Sequence, residues 1–290
     1  MQPFVVRDLS TYLELIYGIG AGSTNHLWFR GQTKACWPVQ PSIQREFEDF
    51  LSDRKEFHEH ERYYTNDFQH TASVFLSEKP ALDDFSSWLT LMQHYGLPTR
   101  LLDWSRSALF ALYFAIVDQS YINDIRYEVP LVDGAVWLLN PFMLNVFAQL
   151  EPHPYLYHME HWTIRYVVHS AFRSGLDREF RADQDYRTRS KAWGKFQDCV
   201  VACYATQCDP RVANQQSAFT VHSSLRPLEE IDAELRASGR SPLLEKIIIP
   251  ADCKPEMAEA LYMSGITHST VFPDLEHVAL DIRRFYGKKR

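Results

Sequence analysis

The stretch LMQHYGLPTRLLDWSRSALFALYFAI, residues 91–116, sets a cluster of polar groups directly ahead of the most apolar run in the chain. His94, Arg100, Asp103, Ser105, Arg106 and Ser107 come first, and ALFALYFAIV follows without a single charge. A helix that is apolar nearly all round belongs in an interior rather than on a surface. TRLLDW has strand character, and the helix N-terminus after it presents backbone N–H groups with no partner inside the helix. Ser105 or Ser107 can cap that helix by accepting from those groups. A purely structural segment has no need of the remaining polar side chains, so this corner reads as the floor of a ligand site.

The rest of the chain supplies a sheet around it. HLWFRGQ is a short apolar strand stopped by Gly31, and GAVWLLN is a buried strand ending at Asn140-Pro141. FQDCVVACYA, SAFTVHSS and LEKIIIP read as further strands, the last closed by Pro250. VRDLSTYLELIYGIG reads as a helix ended by Gly18 and Gly20. REFEDFLSDRKEFHEHERYYTNDF repeats aromatics at helical spacing, its charges forming mostly a solvated outer face. A helix over Ser86 to Tyr95, PEMAEALYMSG with Gly265 as C-cap, and an amphipathic helix in VFPDLEHVALDIRRFYG complete the pattern. With no internal repeat or linker, the expectation is one α+β domain over 1–290. It has an N-terminal helix in 1–25 and a mixed or antiparallel sheet core over 26–290, with a helical insertion at about 44–70.

Composition narrows the function classes. The chain has 290 residues, 46% hydrophobic and 14% aromatic, an ordinary globular balance. A net charge of -7 argues against a coat for nucleic acid that works by bulk positive potential, while allowing a local basic cleft. No apolar run reaches membrane-spanning length and MQPFVVRDLS lacks signal-peptide character, so a cytoplasmic protein with no membrane contact is expected. Cys199, Cys203 and Cys208 have no matching second pair and read as buried thiols rather than zinc ligands. There is no Gly-rich phosphate loop, HExxH or Gly-x-Ser-x-Gly elbow. His58 with His60, and His153, His158 and His161, give no compelling metal pattern. The most basic stretch, Arg165 to Lys191, interleaves arginines with Tyr166, Phe172 and Tyr186; it reads as a solvated helix or as a track for single-stranded nucleic acid.

Four ordered stretches carry a family resemblance: FRGQ (29–32), HYGLPTRLLDWS (94–105) with ALFALYFA after it, NQQSAFTVH (214–222) and GITHSTVFPDL (265–275). Together they resemble the FRG-domain family. Ser217 stands where a glycine is usual and Ser107 where a proline often precedes the helix. The family looks like prokaryotic and phage conflict proteins, which implies an effector or toxin in phage defence or a toxin–antitoxin system, with an antitoxin or chaperone as partner.

A second resemblance, at fold level, is to the NAD-binding core of ADP-ribosyltransferases. It rests on an Arg-bearing strand, a strand ending in an aromatic plus Ser, and a helix of the form A-x-x-[YF]-A. It implies a sheet core like theirs, NAD as substrate and a macromolecular acceptor, protein or nucleic acid. Arg30, His94 and Gln216 are then the catalytic candidates. Arg30, Gln32, Tyr95, Arg100, Asp103, Ser105 and Tyr113 are the candidates for holding NAD.

Each residue has a plainer reading beside this one. Arg30 either grips a phosphate or ribose or pairs structurally with Asp103. His94 and Tyr95, on a turn before Gly96 and Pro98, either reach a ribose hydroxyl or are structural. Arg100 and Asp103 point to opposite faces of a strand, so Arg100 is assigned to an anion and Asp103 to orienting Arg30. Glutamine in NQQSAF supplies no full negative charge for a positively charged transition state. Glu179 and Glu245 are available carboxylates without a spacing argument for either. A non-catalytic nucleotide- or partner-binding module is therefore the alternative class.

Overall fold

A computed structural model describes residues 2–21, 26–46, 54–117, 132–148, 156–169, 199–205 and 214–287. Its strands are β1 (Phe4–Val5), β2 (Trp28–Gln32), β3 (Leu101–Ser105), β4 (Gly134–Leu139), β5 (Tyr157–His158), β6 (Val200–Tyr204), β7 (Ser217–His222) and β8 (Leu244–Ile249). Helices α1 (Leu9–Ala21), α2 (Ser42–Glu46), α3 (Arg54–Ala72), α4 (Phe85–His94), α5 (Ala108–Ile116) and α6 (Pro141–Phe147) alternate with them. α7 (Trp162–His169), α8 (Leu228–Ala237), α9 (Lys254–Met263), α10 (His268–Val271) and α11 (Leu275–Gly287) follow.

The strands form one eight-stranded sheet in the order β1-β8-β4-β2-β3-β7-β6-β5. Only the outermost pairs, β1 with β8 and β5 with β6, run parallel; the inner pairs are antiparallel. The fold is thus a mixed α+β sheet. Its ladders are uneven at the centre. β2 pairs with β4 along its whole length, and β3 does the same with β7, but β2 and β3 share the single pair Phe29 opposite Ser105. A seam therefore divides the sheet into two four-stranded halves, β1-β8-β4-β2 and β3-β7-β6-β5.

Side-chain alternation along each strand assigns the two faces. Leu102 and Trp104 join Trp28, Trp137, Leu144 of α6 and Leu228, Ile231 and Leu235 of α8 on one face. On the other, Phe29, Val136 and Ile247 pack under α5 and α9. Leu101, Val201 and Phe219 continue that second face under α4 and α7. Between these two apolar clusters the alternation places Asp103 and Ser105, so the core of this face is interrupted by polar residues at the seam.

α5 lies unusually close to the sheet because two glycines let it. A Cβ at Gly31 would sit 1.9 Å from the Ala111 carbonyl oxygen, and one at Gly134 would sit 2.3 Å from that of Ala115. The close approach that Gly31 permits is to the helix backbone. Ser107, not Ser105, is the N-cap of α5, its hydroxyl accepting from Phe110 N at 3.4 Å.

Three sequence expectations change. β1 adds a strand ahead of the N-terminal helix. α1 runs through Gly18 and Gly20 to Ala21, because burying Leu15, Ile16 and Ile19 against the core outweighs about 1 kcal/mol per helical glycine. The helical insertion consists of α2 and α3, with residues 47–53 outside the described part. Glu179, Cys208, His153 and the basic stretch from residue 170 onward also lie outside it. Among the described residues no helix is long and apolar enough to cross a membrane.

Candidate functional site

A cavity of about 420 Å³ opens at the seam. Phe29, Phe114 and Phe272 give it aromatic walls, and Arg30, Gln93, Asp103, Ser105, Gln215 and Ser217 line it with polar groups. β2, β3, α4, α5, the turn before β7 and the residue after α10 each contribute. The Arg-bearing strand and the polar corner ahead of α5, seventy residues apart in round terms, thus face one hollow.

The seam explains how Arg30 is held. The Asp103 carbonyl, which a longer ladder would pair with β2 backbone, accepts instead from Arg30 Nη1 at 2.8 Å. Arg30 Nε is buried with no partner, and among the described residues no carboxylate lies within ion-pair distance of this guanidinium. Burial lowers the Arg30 pKa to about 10; Asp103 opposes that shift and Arg45, at the end of α2, adds to it. The group stays cationic at neutral pH, but its charge is poorly accommodated.

The Asp103 carboxylate is in the complementary position. Its side chain is exposed by area, yet its open side is the cavity and the rest of it faces protein. Burial raises its pKa above the usual carboxylate value, against the pull of Arg30, a hydrogen bond from Gln93, and Arg45. Gln93 Nε2 donates to Asp103 Oδ2 at 2.6 Å, while Gln93 Oε1 accepts from Thr99 Oγ1 at 2.6 Å. Thr99 is tied in turn to α2, its backbone N–H reaching Ser42 Oγ at 3.3 Å.

The far wall is built from the C-terminal part of the chain. Ser105 Oγ donates to the Gln215 carbonyl at 2.7 Å, and Gln215 Nε2 donates to the Val271 carbonyl at 3.0 Å. Asn214 Nδ2 donates to the Thr270 carbonyl. These side-chain amides occupy carbonyls at the end of α10 that the helix leaves open, and so place Phe272 against the cavity. Gln216 between them adopts a left-handed backbone, φ 49°, which is costly for a residue with a Cβ.

Several sequence candidates lie elsewhere. Arg100 is fully buried in an ion pair: Glu61 Oε2 stands 2.5 Å from its Nη2 and from its Nε, and Glu61 Oε1 accepts from the Arg100 backbone N–H at 3.0 Å. The anion assigned to Arg100 is thus a carboxylate of α3, the helix whose charges had read as solvated. Gln32 is buried and holds Pro38 and Trp137 together, donating to one at 3.1 Å and accepting from the other at 2.8 Å. His94 ends α4 instead of lying on a turn, with its ring edge-on to Tyr95, and Tyr95 is largely exposed. The Tyr113 hydroxyl lies 2.5 Å from His268 Nδ1, behind the cavity wall. The exposed Gln216 side chain does not line the cavity; Gln215 does. Asp103 does not orient Arg30 through its carboxylate but through its main chain.

Residues 25–123 match the family model of the FRG domain. The chain carries an FRG domain. Within the matched span the FRG domain supplies Arg30, Gln93, Asp103, Ser105, Phe29 and Phe114, while Gln215, Ser217 and Phe272 come from beyond it. No curated protein and no solved structure matches the chain. Gln93 and Phe272 were not singled out in the sequence. Both lay in stretches already quoted, Gln93 just ahead of HYGLPTRLLDWS and Phe272 within GITHSTVFPDL; what the sequence did not give is that Phe272 reaches the cavity, because its position depends on amides at 214 and 215.

A second hollow, about 970 Å³, lies over α6 and the chain ahead of β8, with His26 and Glu245 its ionisable residues. Glu245 pairs with Arg236 at 3.3 Å. Size alone does not mark a site; convergent polar groups do, and they converge on the smaller cavity. Among the described residues no cluster of three His, Cys, Asp or Glu side chains is placed to hold a metal.

Proposed function

We propose that the seam cavity binds NAD and that the chain is an ADP-ribosyltransferase-like effector, acting on a protein or nucleic-acid acceptor in a conflict system of the toxin or phage-defence kind. One observation carries this reading: Arg30, whose guanidinium is incompletely satisfied, and the carboxylate-bearing Asp103 line the same aromatic-walled cavity from the two strands that flank the split in the sheet.

The volume is at the lower end for ligand pockets, so it suits the nicotinamide–ribose part of a dinucleotide, with the remainder outside. Phe29, Phe114 and Phe272 offer ring contacts, and the amides of Gln93 and Gln215 offer partners for hydroxyls. Arg30 supplies fixed positive charge for a phosphate. Breaking the nicotinamide–ribose bond develops positive charge on the ribose, which a preorganised carboxylate stabilises. Asp103 is the only carboxylate among the described lining residues, and it takes that role here in place of the glutamines.

A second reading, binding without catalysis, is favoured by a specific point: burial biases Asp103 toward its neutral form. Following nicotinamide release from NAD in the presence of cell extract, together with calorimetric NAD binding, separates the two. Release by the wild type, lost in Arg30→Met, supports the enzyme. Binding without release leaves the binding module; neither binding nor release overturns both.

A further inference from the structure

We propose that Thr99 is a positioning residue for the seam cavity. Its hydroxyl fixes which way round the Gln93 amide lies, which keeps Asp103 Oδ2 as an acceptor and leaves Oδ1 for the ligand. Its part in catalysis rests on Asp103 being the group that answers positive charge on the ribose. A glutamine amide can be turned end for end with almost no change in shape, exchanging a donor for an acceptor. Its partners therefore decide which way it lies.

Here the decision starts at the backbone. The Leu101 N–H donates to Thr99 Oγ1 at 3.1 Å, so that oxygen already serves as an acceptor. Thr99 is fully buried, and its single hydroxyl proton goes to Gln93 Oε1 at 2.6 Å. With its oxygen taken, Gln93 turns Nε2 to Asp103 Oδ2, again at 2.6 Å. Turned the other way, the amide would set Oε1 against Oδ2, two acceptors in contact. It would also strand the buried Thr99 proton without a partner. Only an Asp103 carrying a proton on Oδ2 could accept that arrangement. The chain Leu101–Thr99–Gln93–Asp103 thus selects the carboxylate, against the burial that favours the acid. Thr99 is itself held from outside the sheet, its carbonyl accepting from Ile43 N at 3.4 Å and its N–H donating to Ser42 Oγ at 3.3 Å, both on α2. Among the described residues Gln93 is the one side chain hydrogen-bonded to the Asp103 carboxylate, and it holds Oδ2 alone. Arg30 on β2 and Arg45 on α2 also act on this carboxylate through space.

The titration of the Asp103 carboxyl, followed by carbon NMR on the full chain, tests this without any ligand and with both arginines in place. Thr99→Val removes the proton that holds Gln93 Oε1, so the amide can turn and the Asp103 pKa should rise. Gln93→Met should raise it as well, while Thr99→Ser, which keeps the hydroxyl, should leave it at the wild-type value. In the wild type a Gln93 side-chain amide proton should shift as Asp103 ionises, a readout that needs no variant to fold. A Thr99→Val titration that coincides with wild type, or an amide signal indifferent to Asp103, overturns the proposal. In nicotinamide release, Thr99→Val should lower kcat by up to about 100-fold, the cost of a misplaced group, with KM nearly unchanged, and Thr99→Ser should restore it. A moved titration with an unchanged kcat overturns the part of Thr99 in catalysis. No release by the wild type overturns the NAD reading alone, since the titration still decides how the amide lies.

Discussion

Arg100 and Arg30 are two arginines drawn into the same sheet, and they are treated in opposite ways. Glu61 meets the first guanidinium with Oε2, at both Nε and Nη2, and takes the Arg100 backbone N–H with Oε1, so the buried charge is answered within the chain. The second has a carboxylate for a neighbour yet bonds to that residue's main chain, and keeps a buried Nε without a partner. Arg30 and Asp103 both shift in the direction that disfavours their charged forms, so their mutual attraction does not compensate burial. An ion pair closed on itself holds a fold together. A charge left partly unanswered lowers stability, and such groups concentrate where something from outside the chain completes them.

The contrast is strongest if its satisfied side is broken. Glu61→Gln strands the Arg100 charge in the core and should cost about 3–5 kcal/mol, read as a lower midpoint in urea unfolding at pH 7. A comparable loss in Arg30→Met would erase the distinction. Gly31→Ala attacks the frame around the open side: with a Cβ 1.9 Å from a helix carbonyl, α5 must shift, at about 3 kcal/mol and with the cavity deformed.

Changes inside the open pair should be much milder. Arg30→Met is expected to leave stability within about 1 kcal/mol of wild type. Asp103→Asn should raise the melting temperature slightly at neutral pH. The folded pKa of Asp103 lies above its unfolded value, so the fold favours the acid; the carboxylate is a liability at neutral pH, and the gain from asparagine disappears below about pH 3.8. A lower melting temperature for Asp103→Asn at pH 7 would mean that the carboxylate belongs to the closed kind of pairing.

The smallest effect reads both arginines at once. His222 is fully buried, its Nε2 2.9 Å from Thr220 Oγ1, and burial with the two nearby guanidinium groups of Arg30 and Arg100 lowers its pKa to about 3. It stays neutral in the fold while the unfolded chain takes up a proton near pH 6.5, so its contribution to stability is complete above that pH and is lost on acidification toward 3. Removing Arg30 should move the imidazole titration upward, observable by NMR. An unchanged titration would place Arg30 outside electrostatic reach.

How much of this was legible in residues alone depended on register. Apolar strands and the interior helix α5 follow from pattern, because burial over several residues averages out local error; that Arg30 shares a hollow with the polar corner was expected only from the fold-level resemblance. The individual side chains do not. Moving one position along a strand or helix end exchanges what faces in for what faces out, which is why the cavity takes Gln93 beside His94 and Gln215 beside Gln216. Arg100 shows the other failure. Glu61, Thr65 and Gln69 form a buried polar stripe at helical spacing, but a charged stripe and a solvated one look alike until the helix that faces them is known. Tyr113 is similar, since its partner His268 is distant in sequence and joins it only when α10 closes on α5.

The single rung joining Phe29 to Ser105 also has a mechanical meaning. Backbone hydrogen bonds make each four-stranded leaf stiff, but across the join the leaves are held chiefly by side chains, which yield to torsion more readily than a ladder. A guest that wedges between them would turn one leaf against the other as a unit, carrying its arrival to the outer strands without any helix unwinding.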